Sequence, residues 1–310
     1  MNSQIEISIV SPVYRAETII DNLVERIVAA VSKLTDSYEI ILVEDCGPDN
    51  SWAKIQENCN KNPKVKGIKL SRNYGQQHAM QAGLDASKGD YVITMDCDLQ
   101  DRPEEIQKLY QKALEGYDIV LASRHKRKDS FFKKLFSKLF YNLLSYLTGY
   151  KHDESVANFG IYSKKVIEAV TEMRESVRYF PTMVNWVGFR STKVNVNHAP
   201  REEGKSNYNF KSLFRLAMDI ILSHSDKPIR ILIKTGGIVS IGAFIIAIIY
   251  LYKWVSGDIF VLGYTSLIVS IWFLSGIIMA TLGIVGLYVG KTFEGVRNRP
   301  LYIIKETIND

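Results

Sequence analysis

Two carboxylates separated by one residue stand in the stretch MDCDLQD, where Asp96 and Asp98 are followed by Gln100. Carboxylates this close repel each other unless a cation neutralises them. Mg²⁺ and Mn²⁺ prefer oxygen ligands, and in many sites they share those ligands with substrate phosphates. Acidic pairs also occur in solvated turns, but this pair directly follows DYVITM, an apolar run typical of a buried strand. The pattern therefore predicts a Mg²⁺ or Mn²⁺ site formed by Asp96, Asp98 and Gln100.

Two further polar motifs follow apolar runs near the N-terminus. SPVYRAE closes the first run and contains Pro12, Tyr14 and Glu17, whereas Asp45 follows the second run, EIILV. An aromatic face at a turn could hold a nucleotide base, and a carboxylate at a strand end could accept a base N–H. Asp49–Ser51 has a simpler interpretation, as the polar start of the next helix. On their own, these motifs are compatible with a nucleotide site but do not specify one.

The elements that must position these residues alternate between strand and helix patterns. Apolar runs predict strands at Ile5–Val10, Glu39–Val43, Val65–Leu70, Asp90–Met95 and Asp118–Ala122. Helical periodicity and start signals predict helices at Thr18–Leu34, from Asn50 onward, at Gln76–Ala86 and at Pro103–Glu115. Such alternation indicates an α/β domain with a mostly parallel sheet covered on both faces. Ligands of these sheets bind beyond the carboxyl ends of the strands, which is where the acidic motifs fall.

The last third of the chain is different, because two long apolar stretches lie between residues 229 and 290. Gly236–Leu251 with its flanks, about 20 apolar residues, and the longer Ile259–Val289 could each span a membrane, and Tyr252–Asp258 is short enough to be a hairpin loop. Basic residues flank the outer ends of the pair, which predicts that both ends face the cytoplasm. We therefore expect a catalytic domain over residues 1–228, two transmembrane helices over 229–290 and a cytoplasmic tail over 291–310. Small residues in the second stretch also favour helix packing, so a homo-oligomer is one expectation.

Two amphipathic segments precede the apolar stretches. Residues 131–147 repeat aromatic and leucine pairs every four positions and carry lysines between them, and residues 210–222 repeat this spacing in a milder form. Such helices lie in a membrane interface or pack on a domain core. The net charge of +6 is modest and no block of consecutive Lys and Arg suggests a nucleic-acid arm, so a nucleic-acid partner is not expected. The three cysteines have no metal-binding spacing, and the N-terminus lacks the pattern of a signal peptide.

The ordered motifs resemble glycosyltransferase family 2, and more closely the polyprenyl-phosphate glycosyltransferases of the bactoprenol glucosyltransferase and dolichol-phosphate mannose synthase type. The resemblance is carried by SPVYRAE, VEDCGPDN, LSRNYGQQHAMQAGLDASKGDYVITMDCDLQDRPE, LASR and REEGKSNY, followed by the two apolar stretches. It implies a GT-A (Rossmann-like) nucleotide-sugar domain with a two-helix transmembrane hairpin. By resemblance, the nucleoside would be held by Pro12, Tyr14, Glu17 and Asp45, and the metal on the diphosphate by Asp96, Asp98 and Gln100. The acceptor phosphate would be held by Arg124, Lys138, Arg201, Lys205 and Ser206.

Two departures from the family pattern bear on the site. Relatives often read Asp-Asp-Gly where this chain has Glu44, Asp45 and Cys46. Several relatives also have an acidic residue and an arginine in the stretch that matches Asn158 to Gly160, and both are missing here. Any acid/base or sugar-binding role is therefore not carried over to that stretch, and a different donor sugar is one interpretation.

The resemblance implies transfer of a hexose-type sugar, from a UDP-linked donor, to polyprenyl (undecaprenyl) phosphate at the cytoplasmic membrane for cell-surface glycan modification. A phosphate monoester has its second pKa at about 6, so the acceptor needs no strong general base. In-line attack by this acceptor would invert the anomeric centre.

Three alternatives are less well supported. A processive polysaccharide synthase usually carries a Gln-x-x-Arg-Trp motif that this chain lacks. A scaffold or flippase partner is disfavoured because the apolar stretches contain no charged residue that would line a transport path. A soluble Rossmann dehydrogenase would need GxGxxG after the first strand, where it is absent.

Overall fold

The computed structural model describes residues 5–124, 146, 156–175, 178–197, 225, 227–256, 263–297 and 299–310 of the 310-residue chain. The chain divides into two compact units. The first contains the described residues up to 124, those from 156 to 197 and the C-terminal segment 299–310. The second contains two long helices near the C-terminus.

The first unit is built on a sheet of eight described strands in the order β7-β5-β6-β4-β1-β2-β3-β8. Their bounds are β1 Ile7–Val13, β2 Tyr38–Glu44, β3 Val65–Leu70, β4 Tyr91–Thr94, β5 Ile119–Arg124, β6 Val156–Ser163, β7 Ser191–Val196 and β8 Ile304–Ile308. Strands β1, β2, β3 and β4 run parallel to one another, as do β5 and β7. Strand β6 is antiparallel to both β4 and β5, and β8 is antiparallel to β3. The predicted mostly parallel α/β sheet is confirmed.

Helices cover both faces of this sheet. Their bounds are α1 Ile20–Val31, α2 Ser51–Lys61, α3 Gln76–Ala86, α4 Ile106–Leu114, α5 Lys164–Glu172 and α6 Phe180–Trp186. On one face, α1, α2 and α4 pack on side chains such as Ile9 and Leu42. On the other face, α3, α5 and α6 pack on side chains such as Val10 and Val43. Consecutive residues of β1 thus enter opposite cores, which explains why the strand sequences are apolar almost throughout.

Strand directions place several carboxyl ends at one edge of the sheet. Because β6 runs antiparallel to both β4 and β5, β5 must run parallel to β4. The carboxyl ends of β1, β2, β4 and β5 therefore share an edge, and β6 begins at that same edge. The residues that follow these strands are brought together by topology, although they are far apart in sequence.

The C-terminal segment differs from the tail expected for residues 291–310. After a second apolar helix that runs to Val296, the chain returns to the first unit, and Ile304–Ile308 pairs with β3 as an outer strand. The sequence IKETI is short and polar, so its local pattern resembles a solvated tail; the backbone groups of β3 supply its hydrogen-bond partners. Strands β6 and β7 also had no counterpart among the predicted strands.

The second unit contains helices α7, Lys227–Val255, and α8, Tyr264–Val296. Within them, Lys227–Ile246 and Ser270–Val296 are long and apolar enough to cross a membrane by length and composition. Helix α7 extends beyond the predicted stretch at both ends, so that Tyr252–Val255 lies in α7 rather than in the predicted loop. Helix α8 begins five residues after the start of its predicted stretch and continues seven residues beyond its end. Most of their described large apolar side chains are exposed, as expected for surfaces that contact lipid.

Candidate active site

The ends of β1, β2 and β4 are held in register at the shared edge. Val13 at the end of β1 lies opposite Glu44, and the amide of Asp45 donates to the carbonyl of Val13 at 3.0 Å. The amide of Met95 donates to the carbonyl of Val10 at 3.1 Å. Asp45 and Asp96 consequently leave the sheet on either side of the β1 end, each directly after or close to the end of a strand, as the sequence predicts.

Two amide side chains orient the carboxylate of Asp96. Gln76, the first residue of α3, donates its Nε2 to Asp96 Oδ1 at 2.8 Å. Asn158 of β6 places its Nδ2 3.4 Å from Asp96 Oδ2, and its own carbonyl accepts from Thr94 Oγ1 at 2.7 Å. The carboxylate is therefore held by groups from two elements, helix α3 and strand β6.

The loop after Asp96 is shaped by backbone geometry and by one anchor. The amide of Gln100 donates to Asp98 Oδ1 at 3.1 Å, which closes a local turn. Leu99 adopts a left-handed φ of 56° and is fully buried, so it fixes the loop between the polar residues. Asp96, Asp98 and Gln100 are half-buried, and their oxygens remain close to the edge of the sheet.

These residues fit a hard divalent cation in an open site. All three predicted ligands supply oxygen, the donor that Mg²⁺ and Mn²⁺ prefer. Among the described residues, no group of three or more His, Cys, Asp or Glu side chains is arranged to hold a metal ion. Two carboxylates with substrate phosphates and water form the usual Mg²⁺ site in phosphate chemistry, so the donor set suits binding together with a diphosphate.

Asp45, for which the sequence suggests contact with a nucleotide base, is bonded to a loop of the protein, and its contact with a base stays a prediction. Its carboxylate is 3% exposed and accepts the amides of Tyr74 and Gly75 at 2.7 and 2.8 Å. Burial raises the pKa of Asp45, while the two N–H donors favour its ionised form. Gly75, with a φ of 92°, precedes α3, so Asp45 ties the end of β2 to the loop that opens this helix.

Glu17 and its loop are also engaged with protein groups. The carboxylate of Glu17 accepts the amide and the side-chain Nδ2 of Asn50 at 3.1 and 3.2 Å. In return, Asp49 Oδ2 accepts the amide of Glu17 at 3.2 Å, and Ser51 Oγ accepts the amide of Ala16 at 3.0 Å. Asp49 and Ser51 thus join two loops rather than cap α2 by side-chain hydrogen bonds, as the sequence had suggested.

Tyr14 and Pro12 are the other two residues for which the sequence predicts contact with the nucleoside. Tyr14 is 37% exposed, and the Arg15 guanidinium lies 5.3 Å from the centre of its ring. Pro12 is buried within β1. Of the four predicted nucleoside residues, Tyr14 therefore presents the most open surface, whereas Asp45 and Glu17 shape the loops around it.

The acceptor side is described only in part. Arg124 is the last residue of β5, so its backbone lies at the same edge as Asp96. Lys138, Arg201, Lys205 and Ser206 lie outside the described residues, as do the segments 210–222 and, apart from Tyr146, 131–147. Their roles remain predictions.

Gln76 and Asn158 are site residues to which the sequence assigned no role. Gln76 lies within the motif LSRNYGQQHAMQAG, and its position at the start of a helix that follows a strand is the signal that could have identified it. In the sequence, Asn158 is distinguished only by a departure from the family pattern. Its contact with Asp96 depends on antiparallel pairing of β6 beside β4, which local periodicity does not reveal.

Comparison with known proteins places this geometry in context. The sequence model of the family described as Glycosyl transferase family 2 matches residues 8–171. An uncharacterized glycosyltransferase of Synechocystis sp. is 35% identical over 303 residues, covering 97% of this chain and 95% of the relative. An undecaprenyl-phosphate 4-deoxy-4-formamido-L-arabinose transferase of Proteus mirabilis is 33% identical over 306 residues, covering 98% of this chain and 94% of the relative.

Among solved structures, a complex of glucosyl-3-phosphoglycerate synthase from Mycobacterium tuberculosis with Mn²⁺, UDP and phosphoglyceric acid is similar in fold. Its TM-score is 0.50 at 16% sequence identity, over 70% of this chain and 76% of that chain. A second complex of that synthase, with UDP-glucose, has a TM-score of 0.51 at 15% identity, over 70% of this chain and 78% of that one. These matches show a GT-A fold.

Proposed function

This chain belongs to glycosyltransferase family 2, and from that premise we propose that it transfers a sugar from a nucleotide-sugar to polyprenyl phosphate at a membrane. One observation carries the proposal. Relatives named as undecaprenyl-phosphate sugar transferases match 98% of the chain, so the match extends through both apolar helices as well as the GT-A unit. The chemistry of the sheet edge agrees with this reaction.

The donor side of the proposal rests on the acidic edge of the sheet. Asp96, Asp98 and Gln100 would hold Mg²⁺ or Mn²⁺ against the donor diphosphate, and the ion would supply charge stabilisation of the leaving nucleotide. Gln76 and Asn158 keep the Asp96 carboxylate in one orientation before substrate arrives. The fold relative was solved with Mn²⁺ and UDP, which supports a uridine donor.

The acceptor side follows from the charge of the substrates. A phosphate monoester is largely dianionic at neutral pH, with a second pKa of about 6, so it is already a nucleophile. The protein must therefore bring two anions together rather than remove a proton. We assign this task to Arg124, Lys138, Arg201, Lys205 and Ser206, because guanidinium and ammonium groups bind phosphate by charge-assisted hydrogen bonds. In-line attack inverts the anomeric centre.

We further propose that α7 and α8 span the cytoplasmic membrane with both ends in the cytoplasm, where nucleotide-sugars are made available. Basic residues at the outer ends, including Arg230, Lys234, Lys291 and Arg297, support this orientation. A cysteine introduced between the helices at Asp258 should be labelled by an impermeant reagent from the outside of intact cells. Labelling only after lysis would contradict the orientation.

The reaction is tested with membranes, labelled nucleotide-sugars and undecaprenyl phosphate, followed by extraction into organic solvent. We expect metal-dependent label in a mild-acid-labile lipid. A donor panel should contain UDP-linked hexoses and 4-deoxy-4-formamido-L-arabinose donors, since relatives are named for the latter sugar. Label in a long insoluble polymer would instead indicate a processive synthase, and no sugar transfer with any donor would favour a scaffold.

The metal assignment has its own variant. Asp98→Ala should lower transfer about a thousandfold at any metal concentration, because several kcal/mol of charge stabilisation is lost. Asp36→Ala provides the matched control, since Asp36 is exposed before β2, at the opposite edge of the sheet. Full activity of Asp98→Ala would refute the metal assignment.

A further inference from the structure

We propose that the C-terminal segment Arg299–Asp310 is a positioning element for the donor site, acting through the loop Ser71–Gly75 and helix α3. The segment follows the second apolar helix directly in sequence, yet it belongs to the catalytic unit. The inference rests on the proposed function in one respect, namely that Asp45 and Asp96, which the loop and the helix hold, belong to the donor site.

The segment is docked by specific polar contacts as well as by strand pairing. Glu306 of β8 accepts Trp52 Nε1 at 3.2 Å and Gln56 Nε2 at 3.3 Å, both from α2. Asn309 donates its Nδ2 to the carbonyls of Cys59 and Val65, each at 2.9 Å. These bonds anchor the segment at the outer edge of β3.

The segment next reaches the loop that follows β3. The amide of Ser71 donates to the carbonyl of Ile303 at 2.9 Å, which extends the pairing of β3 with β8 into the loop. The Tyr74 hydroxyl lies 3.1 Å from Ser71 Oγ. Hydrogen bonding by Ser71, with further contributions from Arg72 and the Ile303 backbone, lowers the pKa of Tyr74. The loop is thus bonded to the segment at its first residue, Ser71, and the Tyr74 side chain is bonded in turn to Ser71.

The segment also holds the far end of α3. Tyr302 donates its hydroxyl to Asp85 Oδ2 at 2.6 Å, and Arg174 of the neighbouring connection donates to the same oxygen at 3.0 Å. Asp85 additionally accepts Gln81 Nε2 at 2.7 Å. Burial, followed by this hydrogen bond, raises the pKa of Tyr302, so the hydroxyl remains a donor at neutral pH.

The opposite side of the same loop and helix faces the acidic residues. Tyr74 and Gly75 donate their amides to Asp45, and Gln76 donates its side chain to Asp96. The segment therefore contacts the loop and α3 on one side, while the donor site is bonded to them on the other. Undocking of the segment would free Ser71 and Asp85 together, and the loop could then leave Asp45.

Hydrogen exchange provides a direct test, because the amides of Tyr74 and Gly75 report on their bonds to Asp45. The full chain in detergent is compared with a double variant, Tyr302→Phe with Glu306→Ala, and with a chain that ends at Asn298 and so lacks the whole segment. Lys305→Ala, at an exposed position of β8, is the matched control. UDP titration with Mn²⁺ is measured on the same samples.

We expect the truncated chain to exchange the Tyr74 and Gly75 amides at least tenfold faster and to bind UDP about tenfold more weakly, while β1 and β4 keep their protection. The double variant should shift in the same direction by a smaller factor, and the control should not change. Unchanged protection of these two amides in the truncated chain would overturn the proposal. Faster exchange throughout β1 and β4 would also overturn it, because the segment would then stabilise the whole sheet. Exchange does not depend on activity, so an absence of sugar transfer would refute the proposed function alone.

Discussion

Helix α3 approaches the sheet closely at Gly83, and the effect of substituting this residue by alanine can be estimated from the distances. A Cβ at this position would lie 2.3 Å from Val10 Cγ1 and 3.1 Å from Val43 Cγ2. Carbon atoms in contact are separated by about 3.5–4.0 Å. Both valines are fully buried in β1 and β2, so they have little room to withdraw. The helix must therefore move away from the sheet by about 1 Å.

The cost of this movement follows from two opposing terms. Overpacking of a buried contact costs about 1–3 kcal/mol. Alanine in a helix recovers up to about 1 kcal/mol relative to glycine. The shortest contact is so close that the upper part of the cost applies, and we expect Gly83→Ala to destabilise the fold by about 2 kcal/mol. The same movement would stretch the 2.8 Å bond between Gln76 and Asp96 beyond hydrogen-bonding range.

Urea unfolding and UDP titration with Mn²⁺ measure the two consequences separately. Gly237→Ala is the matched control, because a Cβ at that position of α7 meets no atom within 4 Å. The control should bind UDP as the unchanged chain does. A Gly83→Ala variant with unchanged or greater stability, and with unchanged UDP affinity, would refute the packing argument.

Two further predictions concern single side chains. Gln76→Ala should weaken Mn²⁺ binding, measured by calorimetry, about tenfold, because groups that orient a metal ligand affect affinity by about 10–100-fold. Equal Mn²⁺ affinity of the variant and the unchanged chain would show that Asp96 needs no such partner. Burial raises the pKa of Cys59 to about 11, whereas Cys46 is exposed. A thiol reagent at pH 8 should therefore label Cys46 and leave Cys59 unlabelled until the chain is unfolded. The raised pKa of Cys59 also means that its neutral thiol contributes to the free energy of unfolding, and this contribution should be lost as pH rises from 9.0, the ordinary thiol value, towards 11. Rapid labelling of Cys59 in the folded protein would contradict this.

The parts of the fold that were predictable are those in which local pattern and final environment agree. Strands β1 to β5 are apolar because helices cover both faces, and that composition is visible in the sequence. Strand β8 is different, because IKETI has few apolar side chains and finds its partner more than two hundred residues away. No local signal specifies such pairing.

The residues of the candidate site also fall into those that the sequence predicts and those that only the structure identifies. The sequence predicts the position of Asp96 and Asp98, directly after a buried strand, because an apolar run precedes them; their role as metal ligands stays a prediction. Asp45 was predicted at the correct edge, but its side chain satisfies backbone amides of a loop that the sequence does not place. Gln76 and Asn158 are neutral amides, a residue type with many roles, and only the three-dimensional contacts with Asp96 distinguish them.

The position of β8 also determines the order in which this protein can be completed during synthesis. Domains generally begin to fold from the N-terminus while the chain is still being made. Here the outer edge of β3 stays unpaired until residues 304–308 emerge, after the entire sequence of α7 and α8. An unpaired strand edge is a site at which other chains can add. The nascent protein consequently carries an open edge throughout the synthesis of α7 and α8, and the arrival of residues 304–308 closes that edge.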